Sequence, residues 1–155
     1  MRALGVDYGQ RRIGLALSDA SGMLARPWKT IPRMGNPSQV AKTIAGEVEA
    51  LAREDENIGV IVIGYPRRLG GERNEQTLSV KEVAGHLRRL VAVPLVLQDE
   101  RLSSTEAENL LARSEKDWRR RKARLDAMAA AVILQDYLDS GNAAGAAVVG
   151  EDSDR

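Results

Sequence analysis

The stretch Ile58 to Ile63 is almost wholly apolar, IGVIVI, and is bounded on both sides by polar sequence. A run this short and this rich in β-branched residues predicts a strand buried on both faces, as in the interior of a parallel sheet. Parallel neighbours need crossover connections, and the flanking sequence offers them. After the Gly35-Asn36-Pro37 break, Val40, Ile44, Val48 and Leu51 recur at helical spacing and predict an amphipathic helix over 38–54. On the other side, Val80, Val83, Leu87 and Leu90 mark a helix over 75–91, and Val93 to Leu97 gives the next strand.

The first thirty residues have a different period. Leu4 and Val6 alternate, as do Ile13, Leu15 and Leu17, with glycines and Asp19-Ala20-Ser21-Gly22 as punctuation. This is a β-meander, with strands near 2–8, 12–19 and 22–31. Ser103 with Glu106 forms a capping-box pattern for a third helix, and a last helix runs over about 123–139 to Ser140-Gly141. The order βββαβαβαα predicts an α/β fold: a mixed five-stranded sheet, meander first and βαβ units after, with helices on both faces. One domain is expected over 1–139. Residues 140–155, rich in Ala, Gly and acidic side chains, read as a disordered acidic tail.

Composition narrows the chemistry. A chain of 155 residues supports one core and leaves no room for two full lobes. Phe is absent and only two Trp and three Tyr are present, so the core must be aliphatic and platforms for base stacking are scarce. With no Cys and a single histidine, His86, disulfides, thiolate nucleophiles and multi-histidine metal centres are excluded. The lack of Cys fits a reducing cytoplasm. The apolar run Ala127 to Leu134 is eight residues long, against about 20 needed to span a bilayer, and no secretory leader pattern opens the chain. A cytoplasmic protein with no membrane partner is expected.

The net charge of +1 hides an asymmetry, because residues 139–155 carry −3 and the rest of the chain +4. Seven Lys or Arg lie between Arg113 and Arg124, including Arg119, Arg120, Arg121 and Lys122. Such clustering suits a polyanion, although a charge run of this kind is also what a solvated helix face looks like.

Three carboxylates stand out by position. Asp7, in Gly5-Val6-Asp7-Tyr8-Gly9, ends an apolar strand among residues small enough to admit a phosphate or metal; as a turn residue it would instead accept local amides. Glu100 falls directly after a strand and before a capped helix, with Asp99 as its neighbour and competitor and Arg101 as a local ion-pair partner. Asp126 occupies a helical stripe continued by Ala130, Ile133 and Tyr137; the local alternative is an ion pair with Lys122, four residues earlier. Ligands of such sheets bind beyond the carboxyl ends of strands, where Asp7 and Glu100 are predicted. An all-oxygen set of this kind suits Mg²⁺ or Mn²⁺, and two such ions would serve phosphodiester cleavage.

The ordered motifs resemble the YqgF/RuvX family, RNase H-like proteins described as Holliday junction resolvases and as pre-16S rRNA processing nucleases. The similarity spans about 1–139. It is carried by Gly5-Val6-Asp7-Tyr8-Gly9 through Asp19, Val62-Ile63-Gly64-Tyr65-Pro66 with Gly70-Gly71, Asp99-Glu100-Arg101-Leu102-Ser103-Ser104 with Glu106-Ala107, and Lys122-x-x-x-Asp126-x-x-Ala129-Ala130. The resemblance implies that Asp7, Glu100 and Asp126 are catalytic and bind the metals, that Arg11, Arg12 and Arg101 contact phosphates, and that Lys122 lies beside the site. Tyr65 stands where family members commonly have Leu, and Ser103-Ser104 where they have Thr-Thr. Arg67-Arg68 replaces a less basic loop and adds to nucleic-acid binding.

The expected activity is therefore a metal-dependent endonuclease on structured nucleic acid, an rRNA precursor within a pre-ribosomal particle ahead of branched DNA, acting as a monomer or homodimer. Two other readings are open on sequence. Asp-x-Gly on a meander also resembles the phosphate loop of actin-like and sugar-kinase ATPases, which duplicate such a fold into two lobes. A non-catalytic RNA-binding module would keep the basic Arg113 to Arg124 face and dispense with Asp7.

Overall fold

A computed structural model describes residues 1–9, 11–65, 75–99, 118–140 and 146–149. Three strands come first: β1 (Arg2–Tyr8), β2 (Arg12–Ser18) and β3 (Ala25–Pro32). Then follow α1 (Pro37–Arg53), β4 (Ile58–Tyr65), α2 (Glu75–Leu90), β5 (Leu95–Asp99), α3 (Trp118–Asp139) and β6 (Ala146–Val149). The sheet order is β3-β2-β1-β4-β5-β6. The meander is antiparallel, β4 is parallel to both β1 and β5, and β6 closes the far edge antiparallel to β5. The apolar run thus lies inside a mixed sheet, between two parallel partners.

All five strands expected from the sequence are present, with shifted ends. β4 runs on through Gly64 and Tyr65 because both residues are paired laterally, Gly64 with Asp7 and Gln98, Tyr65 with Asp99. The sixth strand corrects the expectation for part of the tail. Ala146–Val149 is a strand because its Ala-Ala-Val-Val sequence pairs with β5 from Gln98↔Ala146 to Leu95↔Val149, covering what would otherwise be an open edge. The third helix predicted from Ser103 lies outside the described residues. α3 starts at Trp118, five residues before its predicted start, so the run from Arg119 to Lys122 belongs to its first turns.

The alternation of the strands sorts the core into two layers. On one face Leu4, Val6, Ile13 and Leu15 pack against α1 and α2 through Val40, Ile44, Val83 and Leu87. On the other, Ala3, Ala16, Val62 and Val96 meet Ala130, Ile133 and Leu134 of α3. On the second face β1 and β2 present the small residues Ala3, Gly5, Gly14 and Ala16, so α3 approaches the sheet closely. A Cβ on Gly5 would lie 2.8 Å from Leu134 Cβ and 2.9 Å from the Ala130 carbonyl. Residues 129–134 of α3 are all buried. No helix among the described residues is long and apolar enough to cross a membrane.

α1 begins with a full capping box: the Asn36 side chain accepts from Gln39 N at 2.9 Å, and the Gln39 side chain accepts from Asn36 N at 2.8 Å. Pro37 sits in its first turn, where a missing N–H costs nothing.

Candidate active site

Asp7 is the last but one residue of β1 and is only 8% exposed. Its register partners are Gly14 on β2 and Gly64 on β4, so no side chain flanks it on either side. Residues opposite one another across a sheet project from the same face. The face is that of α3, because a Cβ on Gly14 would collide with the backbone carbonyl of Asp126. Gly14 is thus the point where α3 rests on the sheet, and it seats Asp126 over the strand position beside Asp7, whose own backbone is one strand spacing, about 5 Å, from that of Gly14.

The carboxylate of Asp126 has a cation beside it. Arg12 Nε donates to Asp126 Oδ2 at 2.7 Å, with the two side chains 43% and 20% exposed. The ion pair that the local sequence suggested was with Lys122, whose side chain is outside the described atoms; the partner found is 114 residues away. Arg12 is held by a tight turn in which Gly9 N donates to the Arg12 carbonyl at 3.0 Å. A Cβ on Gly9 would lie 2.6 Å from that carbonyl oxygen and 3.7 Å from Asp126 Oδ1, so this turn and the site share one glycine. Arg11, in the same turn, is exposed.

Arg33 was not singled out from sequence, yet it holds this turn from the outside. Its Nη1 donates to the Gly9 carbonyl at 3.1 Å, its amide donates to the Arg11 carbonyl at 2.9 Å, and its guanidinium lies 4.2 Å from the centre of the Tyr8 ring. The Tyr8 phenol is raised above its ordinary value, mainly by burial, with Arg33 pulling it down and Glu82 adding to the rise. Only the register of β2 with β3, which sets Arg12 opposite Pro32, brings Arg33 here.

The row through Asp7 continues across the sheet as Gly14, Asp7, Gly64, Gln98 and Ala146. Arg119, Arg120, Arg121 and Lys122 lie in the first turns of α3, and Arg119, Lys122 and Asp126 are spaced i, i+3, i+7 along it. Glu100, Arg101, Arg67 and Arg68 lie outside the described residues. Among the described residues no three His, Cys, Asp or Glu side chains gather in a metal-holding group. Of the predicted trio, Asp7 and Asp126 lie on the same face of the sheet with Gly14 as their shared neighbour.

A family model described as RuvX, Holliday junction resolvase, matches residues 1–140. The chain belongs to the RuvX family. A relative from Syntrophus aciditrophicus is 39% identical over 140 residues, covering 90% of this chain and 89% of the relative. Another from Nocardioides sp. is 40% identical over 148 residues, covering 93% and 91%. Both carry the name "Putative pre-16S rRNA nuclease". Among solved structures, T. thermophilus RuvC in complex with a Holliday junction substrate matches with a TM-score of 0.56 at 19% identity, covering 96% of this RuvX chain and 99% of RuvC. That likeness establishes the fold, which is RNase H-like as expected from the sequence.

Proposed function

We propose that this chain is a metal-dependent nuclease that hydrolyses phosphodiester bonds in structured nucleic acid, and that its substrate is the 5′ end of pre-16S rRNA. The observation that carries the proposal is that Asp7 and Asp126 both neighbour Gly14: a buried carboxylate and a partly exposed one, on one face, at the carboxyl end of β1. Two carboxylates on one face at the end of β1 supply hard oxygen donors, and a divalent cation is the ligand class that such oxygens fit. Asp7 and Asp126, with Glu100 as the third, would hold Mg²⁺ or Mn²⁺, two ions if the full set is used. Bound there, the cation supplies Lewis acidity and a nucleophile at neutral pH.

The protein's own residues do the rest. Asp7 is fixed by strand pairing on both sides and Asp126 by the seating of α3, so neither has to be ordered when substrate arrives. Arg12 neutralises Asp126 in the free protein and, with its side chain 43% exposed, is free to turn toward a phosphate when a cation takes its place. Arg11, Arg101, Arg67-Arg68 and the Arg119 to Lys122 run supply further positive charge, which positions a backbone without reading bases. The relatives' name supports rRNA as the substrate. The family description supports a second reading, resolution of branched DNA, for which a homodimer would be needed to cut two strands symmetrically. The rRNA role is satisfied by a monomer working in the cytoplasm on a pre-ribosomal particle.

Cleavage of a labelled rRNA-precursor fragment and of a four-way DNA junction, each with Mg²⁺ and with Mn²⁺, separates the two. Preference for the RNA supports the first reading, preference for the junction the second, and binding without cleavage of either under both metals supports a non-catalytic module.

A further inference from the structure

Gln98 on β5 is only 6% exposed, and its side-chain oxygen has no hydrogen-bond partner among the described residues. A buried carbonyl oxygen left in that state costs stability unless something else satisfies it. Its position says what that is. Gln98 pairs with Gly64, which pairs with Asp7, so it lies in the same cross-sheet row as the catalytic candidate, two strands and about 10 Å away. Val96, two residues earlier, packs on the α3 layer, which puts Gln98 on the face of Asp7. Gly64 brings no side chain between them.

An acceptor in this place has no use for a phosphate oxygen, which only accepts. A nucleotide chain running past Asp7 offers one sugar donor, the ribose 2′-hydroxyl, and DNA lacks it. We infer that Gln98 is the acceptor for the 2′-hydroxyl of a nucleotide next to the scissile phosphate, and that this hydrogen bond makes the site prefer RNA to DNA. The inference rests on the reading of the Asp7 face as the nucleic-acid site, and it deepens that reading by naming the sugar.

The test measures binding, so it does not depend on cleavage. Affinities of wild type and Gln98→Met are compared at one fixed salt concentration, in EDTA, for an RNA hairpin with a single-stranded 5′ leader and for its 2′-fluoro counterpart, which keeps the sugar pucker and removes the donor. Wild type is expected to favour the RNA about tenfold, the effect of one hydrogen bond, and Gln98→Met to bind both equally, at the 2′-fluoro level. Equal affinities in wild type overturn the inference. So does discrimination that survives Gln98→Met, or a Gln98→Met defect that is equal for both ligands. If Gln98→Met does not fold, a wild-type scan placing 2′-fluoro at one nucleotide at a time decides it: a loss confined to one position supports the inference, and a uniform profile overturns it. Discrimination without cleavage would leave Gln98 standing and remove the nuclease; cleavage without discrimination does the reverse.

Discussion

Gly14 and Asp126 are in such close contact that the backbone carbonyl of one occupies the space where a side chain on the other would begin. The seat of α3 on β2 also places Asp126 over the strand position that pairs with Asp7. Gly14→Ala is predicted to destabilise the protein by roughly 1–3 kcal/mol or more, as expected for overpacking. Gly46→Ala makes the matched control: Gly46 is exposed in α1 with nothing within 4 Å of a built Cβ, so the same change there should stabilise by about 0.5–1 kcal/mol. Urea unfolding of the two variants should move in opposite directions.

The Arg12–Asp126 pair is partly exposed, and solvent screening limits what it adds to stability. Arg12→Ala and Asp126→Asn are each expected to cost no more than about 1 kcal/mol in unfolding experiments. Their effects on function should differ. Arg12→Ala should weaken nucleic-acid binding and lower its salt dependence by about one phosphate contact, while Asp126→Asn should abolish cleavage and leave binding intact. A double-mutant cycle on stability would read the coupling between them.

Arg33 is predicted to act on the turn around Gly9 without touching substrate. Arg33→Lys loses the planar group over Tyr8 and the geometry of the bond to the Gly9 carbonyl, and should raise the concentration of RNA needed for half-maximal cleavage while changing the maximal rate less. Amide exchange at Gly9 and Arg12 should quicken in the same variant.

Acid stability should carry the mark of Asp19, in the β2–β3 connection. The hydroxyl of Ser21 and the amides of Leu24 and Met23 hold its carboxylate, lowering its pKa from 3.8 to about 2. A depressed carboxylate stabilises the fold above its unfolded pKa, and that contribution fades as pH falls from about 4 through about 2. Asp19→Asn should flatten the pH dependence of unfolding in that window and leave it unchanged above pH 5; an identical acid profile would count against it.

The sequence showed what periodicity can show. The meander, the apolar strand at 58–63 and the stripes of α1 and α2 all follow from local spacing, and Asp7 and Asp126 stood out because carboxylates at strand ends and on packed stripes need a reason. What it did not show lies in pairing between distant segments. The local sequence pointed from Asp126 to Lys122, whose side chain lies outside the described atoms; the partner seen, Arg12, is 114 residues away and is reached because Gly14 admits α3. Arg33 carries no motif and gains its place from the β2–β3 register. Ala146–Val149 looks like tail, since four small apolar residues become a strand only when an edge such as β5 stands ready to pair them.

The proposed nuclease site stands on Asp7. Its most direct test is cleavage of the rRNA-precursor fragment by wild type and Asp7→Asn at saturating Mg²⁺ or Mn²⁺, with affinity measured in parallel. Cleavage by wild type is expected, with a loss of at least about a hundredfold in the variant, on the scale of removing one acid–base or metal-holding group, and unchanged binding. Equal cleavage by the two proteins, or none by wild type under either metal, would contradict it.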